Sequence, residues 1–348
     1  MRLMPSQSTV LDTLKSVKYP GFSRDIVSFG LVKDIVVTGH EVKVTMQLTS
    51  PNPAAAQQIK AESEQALKLL PGVKAVHVDV HQPAAGAAAM NPFANQSKVS
   101  GVKRIIAIAS GKGGVGKSTC SVNLACALKH LGARVGLLDC DIYGPSIPLM
   151  MGVYERPTVN EQEQLVPPSA HGVKVMSIGL LVTDNQPVVW RGPMITKTIQ
   201  QFLLAVEWGE LDYLLVDLPP GTGDAQLSLC QTVPLDGGVI VTTPQEASLG
   251  VVRKGIAMFN KVNVPILGIV ENMSYFTTPT GDRVEIFGHG GGKAEAARQN
   301  APFLGEIPIF MEIREGGDRG MPVMVSAPNH AAGKAFTHIA QTLQKNLS

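Results

Sequence analysis

Short runs of apolar residues, separated by helical segments, dominate the chain from residue 103 onward. These runs include "RIIAIAS", "RVGLLDCD", "VKVMSIGLL", "DYLLVDLPP", "GGVIVTTP" and "PILGIVENM". Near-continuous aliphatic strands are typical of a parallel sheet covered on both faces, because neither face has to present polar residues to water. The pattern therefore predicts an α/β fold for residues 103–348, with a doubly wound, mostly parallel sheet.

The first 80 residues follow a different pattern. In "DIVVTGHEVKVTMQL" apolar and polar residues alternate, which predicts a hairpin of half-buried strands. A helical stretch, "PAAAQQIKAESEQALKLL", follows, and "VKAVHVDV" then alternates again. Residues 1–80 are thus predicted to form a small α+β domain without an evident catalytic constellation. Residues 81–102 are rich in Pro, Gly, Ala and Asn without periodicity, which is typical of a linker.

Composition narrows the class of protein. A length of 348 residues allows about two domains, and the net charge of +2 is too small to indicate a nucleic-acid or membrane partner. The N-terminus lacks an apolar segment of the signal-peptide type, and no run approaches the roughly 18 apolar residues of a membrane span. We therefore expect a cytoplasmic protein, in which the four scattered cysteines are free thiols.

The stretch "SGKGGVGKST", residues 110–119, matches the phosphate-loop pattern GxxxxGK[ST] between a predicted strand and a predicted helix. Lys117 is expected to reach the β- and γ-phosphates, and the Ser118 hydroxyl to bind Mg²⁺. A chance glycine-rich turn is the alternative, and the strand–loop–helix context disfavours it. The predicted nucleotide-binding residues here are Gly111, Lys112, Gly113, Gly114, Val115, Gly116, Lys117, Ser118 and Thr119.

Carboxylates follow two of the predicted strands. Asp217 ends "DYLLVD", where a buried charge needs a cation, so it is predicted to hold Mg²⁺; the following "PPGTGD" is predicted to be a switch segment. In "LLDCDIYGPSIP" we expect Asp141 to orient the attacking water and Asp139 to support the metal. The alternative is that one of this pair is a helix cap or turn residue. Gly111, Asp139, Asp217 and Asn272 end predicted strands, so they are expected to converge on one site.

Several motifs carry a family resemblance. "KGGVGKST" resembles the deviant Walker A motif of the MinD/ParA/nitrogenase-iron-protein class. "DCDIYGPSIP", "WRGPM", "WGELDYLLVDLPPGTGD" and "ENMSYF" with "IFGHGG" resemble the Mrp/ApbC family of iron–sulfur cluster carrier ATPases, over roughly residues 8–345. The small N-terminal domain is similar to the one that precedes the ATPase in many of these proteins.

The resemblance implies an ATP-hydrolysing, Mg²⁺-dependent homodimer that carries a [4Fe–4S] cluster to apo-proteins or to other assembly proteins. We expect neither a membrane nor a nucleic-acid partner, because the net charge is small. The resemblance also implies that Lys112 reaches across the dimer interface to the phosphates of the partner's nucleotide, as an arginine finger does. Asn272, in "ENMS", is implied to contact adenine. The alternatives are a solvated loop lysine and an ordinary turn asparagine.

The sequence departs from the family where a cluster would bind. Members that bridge a cluster across the dimer usually carry CxxC after "ENMSYF", but here Thr277, Thr278, Pro279 and Thr280 occupy that stretch. Hydroxyls are poor replacements for thiolate ligands of iron. "TSPNPAAA", residues 49–56, also lacks the cysteine that related domains often carry. The remaining candidates are Cys120, Cys126, Cys140 and Cys230, expected to be small buried residues, and His289, expected to be polar surface with ligation as the alternative.

Three other functions compete with cluster carriage. The first is a MinD/ParA-type positioning switch that binds DNA or membrane. Against it, Phe336, Ile339, Leu343 and Leu347 form a narrow apolar stripe with only two lysines nearby, which favours a helix packed on the core. The second is a nucleotide-dependent reductase, which would also need the missing cysteines. The third is an ATPase scaffold of cluster assembly that binds no cluster itself.

Overall fold

The computed structural model describes residues 5–18, 20, 25–27, 30–48, 53–81, 96–181, 192–221, 226, 229–230 and 232–347. The chain divides into two compact units, residues 1–94 and 95–348. Parts of several segments discussed above lie outside the described residues. They are most of the predicted linker (residues 82–95), residues 49–52, residues 190–191 of "WRGPM" and residues 222–224 of the predicted switch segment.

The first unit combines helices with a small sheet of strand order β1-β2-β3. Its elements are α1 (Gln7–Leu14), β1 (Val32–Thr38), β2 (Glu41–Gln47), α2 (Pro53–Lys68) and β3 (Ala75–His81). β1 runs antiparallel to β2, and β3 runs parallel to β2. The alternation predicted for β2 is confirmed, because Val42, Val44 and Met46 are buried in a core that also contains Ile59 and Leu67 of α2.

The second unit begins with the strand before the phosphate loop and ends with a long C-terminal helix. Its helices are α3 (Lys117–His130), α4 (Ile147–Met151), α5 (Gly192–Leu204), α6 (Glu246–Lys261), α7 (Gly291–Arg298), α8 (Met311–Asp318), α9 (Val323–Ser326) and α10 (Ala331–Leu347). Its strands are β4 (Val102–Ser110), β5 (Val135–Asp139), β6 (Thr158–Val159), β7 (Leu165–Val166), β8 (Ser169–Ala170), β9 (Val173–Ser177), β10 (Leu211–Asp217), β11 (Gly237–Thr242), β12 (Ile266–Thr277), β13 (Arg283–Val284) and β14 (Phe303–Ile309).

The main sheet has the strand order β13-β12-β11-β4-β10-β5-β9-β8, and β14 also pairs with β12. The pairings between β14, β12, β11, β4, β10, β5 and β9 are parallel, while β8 and β13 add antiparallel pairings. Ile106 and Ile108 of β4 are fully buried, as expected for a strand covered on both faces. The predicted α/β class is therefore confirmed.

The C-terminal helix α10 packs against α3 and β14. Phe336, Ile339 and Leu343 are buried in this contact, so the predicted core-packing stripe is confirmed for these three residues. Among the described residues, no helix combines the length and the apolar character that crossing a membrane requires.

One predicted strand end is wrong. Asn272 lies within β12, which continues through Thr277 rather than stopping before the asparagine. Pairing with β11 ends at Glu271, and beyond it β12 pairs with β14 and then with β13. Met273, with φ of 57°, marks the irregular point of this extension. Asn272 therefore faces the phosphate loop from the middle of a strand.

Candidate functional site

The phosphate loop joins β4 to α3 over residues 111–116. Gly114 and Gly116 have φ of 79° and 78°, the left-handed region in which a side chain is strained. Gly111 is needed for another reason, because a Cβ there would lie 2.7 Å from the backbone of Val251 in α6. The glycines thus fix the loop's path, as the motif predicts.

A buried network surrounds Asp217 at the end of β10. Its carboxylate is fully buried, and Oδ2 accepts from Lys117 Nζ and from Ser118 Oγ, each at 2.6 Å. Lys117 is also buried, with 6% of its side chain exposed. Since a buried carboxylate is costly without a compensating cation, Lys117 supplies the charge that Asp217 requires in this structure.

The same oxygens suit Mg²⁺. This ion prefers hard oxygen ligands and keeps several waters, so one or two protein ligands are enough. The Ser118 hydroxyl and the Asp217 carboxylate provide two such oxygens side by side. These two residues therefore fit the predicted metal site.

Asp139, at the end of β5, is 1% exposed and its oxygens already have several partners. Oδ1 accepts the backbone N–H of Asp141 at 3.0 Å, and Oδ2 accepts from the Ser177 hydroxyl at 3.1 Å and from the Ile147 N–H at 3.4 Å. These contacts match the alternative reading of a turn and cap residue that shapes the segment before α4. The metal role of Asp139 stays a prediction, as does the water-orienting role of Asp141. Asp141 is half-buried, and this burial raises the pKa of its carboxyl group.

Burial, and then repulsion from Asp217, raise the pKa of Asp139 to about 7 from an ordinary value of 3.8. Below pH 4 both folded and unfolded chains carry the proton; between pH 4 and 7 only the folded chain keeps it. This residue's contribution to the free energy of unfolding therefore falls as pH rises through that window, by at most about 4 kcal/mol. We expect Asp139→Asn to remove that fall, as measured by urea unfolding in EDTA from pH 5 to 8. Parallel curves for parent and variant would contradict this.

Asn272 contacts the phosphate loop itself. It is 7% exposed, and its Nδ2 donates to the Val115 carbonyl at 2.8 Å. A Cβ added at Gly116 would overlap this amide nitrogen, so the loop and the asparagine are fitted to one another. Adenine contact by Asn272 stays a prediction, because the side chain's donor holds the loop in this structure.

Gly116→Ala should lower the free energy of unfolding of the nucleotide-free protein. A side chain in the left-handed region costs roughly 1–2 kcal/mol, and crowding Asn272 adds about 1–3 kcal/mol. Urea unfolding followed by tryptophan fluorescence measures the loss, since Trp208 is buried in this unit. Gly114→Ala is the matched control, because Gly114 has φ of 79° with no atom within 4 Å of an added Cβ. Equal losses in the two variants would disprove the crowding at Asn272.

A cavity of about 300 Å³ adjoins the loop. Gly116, Thr119 and Asn272 line its side toward the loop. Arg314 and Asp318 are the charged residues of the remaining wall. Most of that wall is apolar and is formed by Leu149, Met150, Met273, Pro308, Ile309, Phe310 and Ile313. Six of the lining residues come from β14 and α8, which the sequence pattern did not connect to the site.

Lys112 bonds through its side chain to the residue just before α6. Its half-buried side chain donates from Nζ to Oε1 of Gln245 at 3.1 Å, next to the start of α6. The Lys112 carbonyl accepts from the Ser110 hydroxyl at 3.0 Å, which stabilises the loop backbone. Gln245 was not identified from the sequence, because 133 residues separate it from Lys112. The two lysines of the motif thus have different surroundings.

All four cysteines are buried, as predicted. Burial raises the pKa of the Cys126 thiol to about 12 and that of Cys230 to about 11, and it also raises the pKa of Cys120 and Cys140. Thiolates are the form that binds iron, so none of these side chains is prepared for it in this structure.

The segment that replaces CxxC forms the turn between β12 and β13. The Thr278 N–H donates to the Asp282 carbonyl at 2.9 Å, and the Thr280 hydroxyl donates to the Asp282 carboxylate at 2.7 Å. These two contacts support the turn, and a threonine hydroxyl is not a soft ligand for iron.

His289 belongs to a cluster with Glu271 and Glu306, whose ligand atoms lie within 4.8 Å of one another. Its Nε2 lies 2.8 Å from Oε2 of Glu306, and Glu306 also pairs with Arg283 at 3.3 Å. The fully buried Glu271 accepts the N–H groups of Gly290 and Gly292 at the start of α7. Each member has a protein partner in this structure, and ligation by His289 stays the alternative to a polar surface residue.

Comparison with known proteins connects this geometry to a family. A profile described as the NUBPL iron-transfer P-loop NTPase, of the ParA group, matches residues 101–344. The chain belongs to this family. A second profile, described as an iron-sulfur cluster assembly protein, matches residues 7–97. The predicted resemblance to carrier ATPases of the deviant Walker A class is confirmed.

Individual relatives agree with this assignment. The chain is 46% identical over 351 residues to an iron-sulfur cluster carrier protein of Synechocystis sp., covering 99% of both chains. A nucleotide-binding protein of Archaeoglobus fulgidus in complex with ADP superposes with a TM-score of 0.58 and 42% identity, covering 64% of this chain and 88% of that one. The cell division ATPase MinD of Pyrococcus furiosus gives 0.54 at 25% identity, covering 70% and 98%.

Proposed function

We propose that this chain is an ATP-hydrolysing carrier of iron–sulfur clusters that works as a homodimer and delivers clusters to apo-proteins. The observation that carries the proposal is the match of both units: the NTPase profile covers residues 101–344 and the assembly profile covers residues 7–97. A relative named as a cluster carrier is similar over 99% of its length, so the likeness extends beyond the nucleotide site.

Backbone N–H groups and side chains of this chain together form the nucleotide site. The N–H groups of residues 111–116 and the start of α3 bind the phosphates, since a helix N-terminus and a glycine-rich loop present positive potential to anions. Lys117 would leave Asp217 to bind the β- and γ-phosphates, and Ser118 together with Asp217 would hold Mg²⁺. When bound, Mg²⁺ neutralises charge on the phosphate oxygens. Asp141 orients the attacking water, while Asp139 keeps the segment that carries Asp141 in place.

The adjoining cavity of about 300 Å³ receives the base. It lies against Gly116 and Thr119, so a nucleotide held by the loop can extend into it. Its mostly apolar wall suits a flat aromatic ring, and the buried Asn272 contributes an amide side chain to this wall. The ADP complex of the Archaeoglobus fulgidus relative supports an adenine nucleotide as the ligand.

The dimer provides the second lysine. Lys112 contacts only Gln245 among side chains of the described residues, so it is not committed to its own loop. In the closed dimer it reaches the partner's nucleotide, where an added cation stabilises charge on the transferring phosphoryl group. Because that contact exists only between two closed subunits, nucleotide state and dimer geometry depend on one another.

The burial of all four cysteines favours a second candidate function. Since the CxxC segment is a threonine turn and the thiols are inside, the chain could act as an ATPase scaffold of cluster assembly without holding the cargo. The two functions make opposite predictions for cluster binding. A carrier must bind iron and sulfide, whereas a scaffold need not.

Anaerobic reconstitution with iron and sulfide tests the choice. The carrier proposal predicts comparable amounts of bound iron and sulfide that stay with the protein through desalting. The double variant Thr277→Cys, Thr280→Cys restores CxxC in the β12–β13 turn and serves as the control for the conditions. Cluster binding by this variant but not by the parent protein would reject carriage and support the scaffold.

A further inference from the structure

Ser121 is a buried hydroxyl for which the nucleotide motif has no role, because the pattern GxxxxGK[ST] ends at Ser118. It lies in α3, one helical turn after Lys117, and is fully buried. Its Oγ is 2.5 Å from Oδ1 of Asp217 and 3.1 Å from the Lys117 carbonyl oxygen. A serine hydroxyl has one hydrogen, and the shorter bond to a charged oxygen is the stronger. That hydrogen therefore goes to Asp217.

The two carboxylate oxygens of Asp217 thus have different kinds of partner. Oδ2 accepts from Lys117 and Ser118, which the proposed function assigns to the phosphates and to Mg²⁺. Oδ1 accepts from Ser121, its sole hydrogen-bond donor within the described part of the chain. Binding of a Mg²⁺–nucleotide takes Lys117 away from Oδ2 and brings the Ser118 oxygen to the metal, whereas the motif gives Ser121 no role that would draw it from Oδ1. The bond at Oδ1 can therefore persist through the cycle.

We infer that Ser121 is a positioning residue that keeps the Asp217 carboxylate turned toward the metal in every nucleotide state. The inference rests on the proposed function, since it assumes that Asp217 serves Mg²⁺ beside a bound nucleotide. A carboxylate that ligates a metal or its waters depends on such an outer hydrogen bond for its orientation. Loss of such a partner typically costs about 10–100-fold in metal affinity.

The test is an equilibrium titration of Mg²⁺ into the full-length protein with a fluorescent ADP analogue. For Ser121→Ala we expect the Mg²⁺ concentration at half-effect to rise by about 10–100-fold, while the affinity for the analogue in EDTA stays at the parent value. Ser121→Thr keeps the hydroxyl and should return the Mg²⁺ requirement toward the parent value. Cys126→Ala is the matched control, because Cys126 is buried in the same helix and does not contact Asp217.

An unchanged Mg²⁺ requirement in Ser121→Ala would overturn the inference. So would an equal loss of affinity with Mg²⁺ and in EDTA, because that is the result of a merely structural role. If Ser121→Ala does not fold, Ser121→Cys decides, since a thiol is a weaker donor and must give an intermediate rise. If the affinity of the parent protein for the analogue does not depend on Mg²⁺, this result would instead contradict the proposed nucleotide site, and the inference with it.

Discussion

Lys117→Ala should reduce ATP hydrolysis by about 10³-fold or more, because it removes the cation that faces the charge developing on the transferring phosphoryl group. Lys117 is 6% exposed, and its Nζ lies 2.6 Å from Asp217, so no other lysine can take its place without rebuilding the loop. Steady-state phosphate release measures the loss.

The control must separate chemistry from stability. Breaking a buried ion pair by removing one partner costs about 3–5 kcal/mol, and here it would leave Asp217 uncompensated. The double variant Lys117→Ala, Asp217→Asn relieves that charge and should fold better while remaining inactive. Lys129→Ala, at the exposed end of the same helix, should hydrolyse ATP like the parent. Near-parent turnover in Lys117→Ala would remove the basis for the site.

Lys112→Ala should impair hydrolysis by about 10²-fold or more while leaving nucleotide binding by a single chain unchanged. The proposed function assigns Lys112 to the partner's nucleotide, and in this structure its Nζ bonds Gln245 at 3.1 Å. Turnover and equilibrium binding of a fluorescent ADP analogue measure the two effects separately. A loss of binding that matches the loss of turnover would indicate a role within the same chain.

Mixing two inactive variants tests the exchange of lysines between subunits. In a dimer of one Lys112→Ala chain and one Lys117→Ala chain, one of the two sites has both lysines intact. Random pairing of equal amounts makes half of the dimers mixed, and one of the two sites in each mixed dimer is active. The mixture should therefore recover roughly a quarter of the parent rate. If the mixture is as inactive as either variant, Lys112 does not act in trans.

The sequence predicted those parts of the site that are local in the chain. The phosphate loop follows from glycines and a lysine at fixed spacing, and the buried strands follow from runs such as "IIAIA" in β4. Asp217 could be assigned to the site because a carboxylate at the end of a buried strand is costly unless a cation lies beside it. Each of these features depends on residues that are neighbours in the chain and on no long-range contact.

Contacts between distant residues were not predictable in this way. Asn272 meets the Val115 carbonyl across 157 residues, which depends on the irregular extension of β12 beyond its pairing with β11. Ser121 looks like any small residue on a helix until its bond to Asp217, 96 residues away, is seen. The direction of the Lys112 side chain likewise depends on where α6 begins. Periodicity shows which face is buried, but not which polar group a side chain meets there.

Cluster transfer tests the central proposal most directly. The measurement is the rate at which an apo-acceptor gains a [4Fe–4S] cluster from the anaerobically reconstituted protein, with Mg²⁺–ATP and without nucleotide. If the chain is a carrier, the acceptor becomes loaded, and Mg²⁺–ATP changes the rate of loading for the parent protein but not for Lys117→Ala. An acceptor that stays empty, or that fills equally fast from free iron and sulfide, would contradict cluster carriage by this chain.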